Sequence, residues 1–181
     1  MTPGLRVAAW RDRWHRRARR VLHPWDFHRR WFRELAAFYR HLSREEFWLR
    51  YHEERAKTKA LWALAPFRGP ERRSVWELTD YYILRQMYYH RDACWHAVAA
   101  TIPKGGSFME FGCGVAPITA WLTRHRPDVV CVLVDVESRT RDFTRWRFRD
   151  HFVLWIDPDE YNKVNTIACF ETLEHLADPV D

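Results

Sequence analysis

"FMEFGCGVAP", residues 108–117, runs from apolar positions through an acid into two glycines that flank a cysteine, and then reaches a proline. Phe108 to Phe111 reads as a short strand. Glycine has no Cβ, so Gly112 and Gly114 permit both a left-handed turn and a close approach of another group to the backbone. Residues 118–126 suit a helix, with Pro117 at its mouth. Strand, glycine turn and helix together make the opening unit of an α/β sheet, whose ligands bind beyond the carboxyl ends of the strands. Two phosphate-binding readings fail at once. A dinucleotide fingerprint needs glycine where Pro117 stands, and a P-loop needs Gly-Lys-Ser/Thr after the glycines.

The same texture continues downstream. "VVCVLVD", residues 129–135, is a β-branched run of the kind found in a strand buried on both faces. Residues 138–149 read as a helix, "FVLW" as a third strand and residues 164–170 as a fourth. Alternating strands and helices imply a parallel sheet. Upstream the periodicity is helical. Trp10, Trp14, Ala18 and Val21 form one apolar stripe, and Phe27, Trp31, Leu35, Phe38 and Leu42 form a second. Ser43 with Glu46 is a capping box that opens a helix running to Pro66. Ser74 with Glu77 repeats the pattern, opening a long helix that carries "YYILRQMYYHRDACWHAVAA" toward Pro103. The expected organisation is a helical region over residues 1–104 and an α/β domain over residues 105–181.

The chain has 181 residues, of which 47% are hydrophobic and 16% aromatic, enough for a buried core. Cys94, Cys113, Cys131 and Cys169 show no C-x-x-C pairing, which argues against a zinc site or a disulfide framework and for a reducing compartment. No apolar run reaches the roughly 18 residues of a spanning helix, and the expected location is cytoplasmic. Charge is strongly polarised. Residues 1–50 hold 13 Arg and no Lys against 5 acids, whereas the last 31 residues hold Lys163 against 7 acids. A basic, aromatic N-terminal region admits a membrane surface, a nucleic acid or an acidic protein as partner. Regular apolar spacing favours a helical cap over the ligand site instead.

"EFGCG", "VLVDVES" some twenty residues on and "ACFETLEHLADP" beyond it resemble the class I S-adenosylmethionine-dependent methyltransferases over residues 107–181. The resemblance implies an incomplete Rossmann-like, doubly wound parallel sheet of about four strands behind the helical region, S-adenosylmethionine as cofactor, and methyl transfer to a small-molecule or glycan-type acceptor. It carries Glu110 over as the motif acid near the cofactor's ammonium. Gly112, Cys113 and Gly114 become the cofactor loop, with Cys113 contributing size. Asp135, ending the second strand, becomes the acceptor for the ribose hydroxyls, with Glu137 as fallback. Val136 and Asp157 would meet the adenine, Asp159 competing with Asp157. The family often has a third glycine where Ala116 stands. A non-catalytic scaffold on the same fold, engaging an acidic surface through the basic helices, is the alternative.

"ETLEH" puts Glu171, Glu174 and His175 at i, i+3 and i+4, one face of a helix. Three readings stay open: a divalent metal site, an acid or base facing the substrate, and a helix-capping role. His175 and Glu174 are the candidate catalytic pair, and no residue is assigned as a metal ligand. The family's sheet has more strands than four, so the chain is expected to be part of a longer protein.

Overall fold

The computed structural model describes residues 29–64, 71–89, 95–157, 163–170 and 172. The stripe from Trp10 to Val21, and Phe27, lie outside these residues. Helix α1, Arg30–Phe38, buries Trp31, Phe32 and Leu35. It stops at Tyr39, short of the stripe's last member, because Arg40 and His41 turn left-handed (φ 55° and 76°) and His41 N–H donates back to Ala36 O at 2.7 Å. Leu42 is nevertheless buried. Helix α2, Arg44–Leu64, opens on the expected capping box: Ser43 N–H donates to Glu46 Oε2 at 2.7 Å, and Glu46 N–H donates to Ser43 Oγ at 3.2 Å.

The single long helix expected after Ser74 is instead three. Helix α3 spans Glu71–Leu78, α4 spans Tyr81–Tyr89 and α5 spans His96–Ala100. The break at Thr79 and Asp80 has a polar cause. Asp80 N–H, which a continuous helix would turn toward the carbonyl of residue 76, donates to Glu54 Oε2 on α2 at 2.7 Å. The buried Asp80 carboxylate accepts from Arg50 at 2.7 Å and from Arg139 at 3.1 Å. Thr and Asp are weak helix formers, so the local sequence permits a break here, and the long-range partners fix it.

After the helices come β1 Ser107–Phe111, α6 Pro117–His125, β2 Val130–Val134, α7 Arg139–Arg147, β3 Val153–Ile156 and β4 Thr166–Cys169. Every element of the expected α/β unit is present, within one or two residues at each end. The four strands form one parallel sheet in the order β3-β2-β1-β4. The chain steps outward from β1 to β3 and then returns to the other side of β1, so β1 and β4 flank the switch point of a doubly wound, Rossmann-like sheet.

Period-two alternation sorts the faces. Phe108, Cys131 and Ala168 pack with Ala99 and Ile102 from the α5 end and with Ile118 and Leu122 of α6. Met109, Val132 and Val134 point the other way, against Phe111, Ile156 and Val164. A third cluster crosses from helices to sheet: Trp31, Phe32, Leu35, Phe47, Ile83, Leu84 and Tyr88 pack around Val115 from the glycine loop and Phe143 from α7. Trp31 meets Phe32, Phe47 and Tyr88 edge-to-face at 5.7–5.9 Å between centroids, the arrangement the ring quadrupoles favour. The helical region therefore shares its core with the ligand-bearing loop. No helix among the described residues is long and apolar enough to cross a membrane.

Asp80→Ala removes two ion pairs whose arginines are half-exposed, so the loss is screened. The expected cost is about 1–2 kcal/mol, read as a lower urea midpoint at unchanged slope. An unchanged midpoint would show that the ion pairs of this carboxylate with Arg50 and Arg139 do not contribute to stability.

Candidate functional site

The chain leaves β1 at its carboxyl end and makes a tight loop into α6. Gly112, Gly114 and Ala116 all adopt left-handed conformations, at φ 63°, 51° and 49°. Glycine enters this region freely, whereas alanine does so at about 1–2 kcal/mol. Ala116 stands where a third glycine was missed. Its methyl is fully buried with Cys113, Ala120, Leu133 and Phe148, packing that offsets the strain. Pro117 then supplies the first position of α6, where its missing N–H costs nothing.

Four side chains hold the polar atoms of residues 114 and 115. Gly114 N–H donates to Asp135 Oδ2 at 2.7 Å, and Gly114 O accepts from Thr144 Oγ1 at 2.6 Å. Val115 N–H donates to Gln86 Oε1 at 2.9 Å, and Val115 O accepts from the Arg147 guanidinium. Arg147 is itself held by Glu34 of α1 at 2.9 Å. The loop is thus fixed from α1, α4, the end of β2 and α7 together. None of Gln86, Thr144, Arg147 and Glu34 was singled out from the sequence. Their pairing joins positions far apart in the chain and leaves no local pattern.

The bare backbone at the two glycines is used differently from the expectation. A Cβ at Gly114 would fall 2.2 Å from Gln86 Oε1, and one at Gly112 would fall 2.2 Å from Thr172 side-chain atoms. The left-handed turns are as expected, but the clearance is filled by the protein's own side chains. At Gly114 the filling group is the tip of a flexible side chain. At Gly112 it includes the Thr172 Cβ at 2.8 Å, and Thr172 Oγ1 also reaches Phe111 O at 3.5 Å.

The carboxyl ends of the strands carry acids. Asp135 follows β2, and its oxygens accept from Gly114 N–H and, at 2.8 Å, from Val136 N–H. Burial raises its carboxyl above the usual range, while those amides pull it back. Val136 is half-buried beside it. The Cys113 Sγ lies 3.8 Å from Asp135 Oδ2, and burial followed by that negative charge pushes the thiol well up, which suits a packing role and not a nucleophile. Glu137 and Asp157 are exposed and share one buried guanidinium: Arg141 reaches Glu137 at 2.9 Å, Asp157 at 3.2 Å and Asp135 O at 2.9 Å. Arg141 was also missed, although Glu137 four residues before it was a legible helical pair.

Glu110 lies within β1, before the loop. Alternation puts it on the α6 side of β1, where Oε2 accepts from Thr119 N–H at 2.9 Å and Thr119 Oγ1 at 2.8 Å, and Oε1 accepts from Ile118 N–H at 3.4 Å. It caps the start of α6 from beneath. Glu174 and His175, the candidate catalytic pair, and Glu171 and Asp159 lie outside the described residues. Among the described residues no three His, Cys, Asp or Glu side chains converge as a metal site.

Burial raises the Glu110 carboxyl to about 7, outweighing the hydrogen bonds from Thr119 and Ile118 that lower it. A raised acid binds its proton more tightly in the folded chain, so stability is greatest below the unfolded value of about 4.5 and is lost as pH rises through about 7. Glu110→Gln keeps an acceptor for the α6 amides and has no proton to lose. The parent is expected to lose on the order of 3 kcal/mol across that window and the variant much less, measured by urea unfolding at several pH values. Parallel pH profiles would contradict the assignment.

A comparison with curated proteins finds none that matches. Residues 83–181, more than half of the chain, match a family described as a methyltransferase domain. The match begins inside α4 and takes in the glycine loop, the Asp135 turn and the whole sheet. The four-stranded parallel sheet and the loop at its switch point agree with that match, and the chain belongs to the methyltransferase-domain family.

Proposed function

We propose that this protein binds S-adenosylmethionine at the carboxyl edge of the sheet and transfers its methyl group to a small-molecule or glycan-type acceptor. The observation that carries the reading is the Asp135 carboxylate, held at the mouth of the glycine loop by two backbone amides. An ionised carboxylate offers about four acceptor positions. Oδ1 spends one on the Val136 amide and keeps another for a sugar hydroxyl, while Oδ2 accepts the Gly114 amide and, at 3.8 Å, the Cys113 thiol, the weaker contact and the one a second hydroxyl would displace. The acceptors nearby argue the same way. Asp135, Glu137 and Asp157 offer carboxylate oxygens to a ligand that presents hydroxyls and an exocyclic amine, while Arg141 balances the charge of Glu137 and Asp157. Within that frame Val136 would lie against the adenine and Asp157 would accept from its amine.

The bound sulfonium supplies an activated methyl group with a good leaving group already in place. The protein's part is then alignment and exclusion of water. Asp135 fixes the sugar end. Gly114 and Val115, held from four sides, give the loop one conformation before ligand arrives, so little ordering remains to be done on binding. Glu110 stiffens the start of α6 beneath the loop. A protonated acceptor needs a base, and His175 is assigned that role with Glu174 next to it in the chain, since imidazole is the side chain best suited to take a proton near neutral pH.

Calorimetric titration with S-adenosylhomocysteine tests the reading. The parent is expected to bind it and to give no heat with NAD. Asp135→Asn, which keeps one carbonyl acceptor and loses the charge, is expected to bind about 10-fold or more weakly. A parent that does not bind, or a variant that binds as tightly as the parent, would overturn the cofactor assignment.

A further inference from the structure

We propose that Gln86 is a positioning residue for the glycine loop, through which helix α4 sets the conformation that receives the cofactor. The inference rests on the cofactor reading above and extends it to a residue of the helical region. Its basis is the carboxamide itself. Gln86 sits on a helix whose other inward positions, Ile83, Leu84, Met87 and Tyr88, are buried and apolar. An apolar side chain at 86 would fill the space over Gly114 equally well. It would not accept the Val115 N–H, which donates at 2.9 Å to Gln86 Oε1 and to no other acceptor among the described residues.

Burial of Val115 makes that bond consequential. The residue is fully buried among aromatic rings of α1, α2 and α4, so its amide cannot turn to water without leaving the core. The observed placement of Gln86 needs glycine at 114, because a Cβ there would fall 2.2 Å from the carboxamide oxygen. A second tie from the helical region reaches the same residue. Glu34 holds Arg147, which donates to Val115 O, so the N–H and C=O of this one residue are both governed from outside the sheet. The neighbouring Gly114 N–H is held by Asp135, the proposed sugar ligand. Movement of Val115 therefore shifts the Asp135 carboxylate's own partner.

The test compares Gln86→Leu, similar in length without an acceptor, with Gln86→Glu, which keeps the acceptor. Amide-resolved hydrogen exchange on the unliganded protein reads the loop without any cofactor. Gln86→Leu is expected to speed exchange at Val115 about 10-fold while amides in β1 and β2 exchange as in the parent, and Gln86→Glu is expected to stay close to the parent. Titration with S-adenosylhomocysteine should show about 10-fold weaker binding for Gln86→Leu and a change within about 3-fold for Gln86→Glu. Equal losses in both variants, with faster exchange across the sheet, would mean a general packing role and overturn the proposal. Parent-like exchange and affinity in Gln86→Leu would overturn it alone. A parent that does not bind S-adenosylhomocysteine would overturn the cofactor reading and this assignment with it.

Discussion

The hydrogen bond from Gly114 N–H to Asp135 Oδ2, at 2.7 Å, is the contact on which the site is built. It ties the loop after β1 to the turn after β2 at the carboxyl edge of the sheet. Everything nearby either permits it or guards it. The left-handed turns at Gly112 and Gly114 aim the amide, Cys113 fills the inside of the bend, and Arg141 holds the Asp135 carbonyl from behind. The carboxylate is mostly withdrawn from water, and amides from two neighbouring residues offset part of that cost.

The helical region is joined to this contact by packing and by charge. Val115 and Phe143 belong to the aromatic cluster built on Trp31, Phe47 and Tyr88, so the loop's next residue is a core residue of the helices. The ion pair of Glu34 with Arg147 is partly buried, and burial alone would weaken it; the additional bond to Val115 O gives the guanidinium a second partner. A buried pair of this kind adds little net stability but penalises any arrangement that separates α1 from α7. It makes the helices part of the loop's geometry.

Much of the fold was legible from local pattern. β-branched runs gave β2, the capping box of Ser43 and Glu46 gave the start of α2, and the apolar run before Gly112 gave β1. The long helix after Ser74 was misread because propensity and periodicity are local, whereas Asp80 N–H is drawn off by Glu54, 26 residues away. The site divided the same way. Asp135 and the two glycines stand out by strand ends and turn chemistry. Gln86, Thr144 and Arg147 do not, since nothing in "LRQMY" or "TRWRF" distinguishes a residue that reaches a distant loop from one that faces solvent. The glycines were read as room for a ligand, and part of that room proves to be taken by Gln86 and Thr172.

A crystal structure of the protein with S-adenosylhomocysteine tests the central claim most directly. The account predicts both ribose hydroxyls within hydrogen-bond distance of the Asp135 carboxylate, with Gly114 N–H still donating to it and Val115 still held by Gln86. A nucleoside bound elsewhere, or one bound at the loop with Asp135 turned away from its sugar, would contradict it.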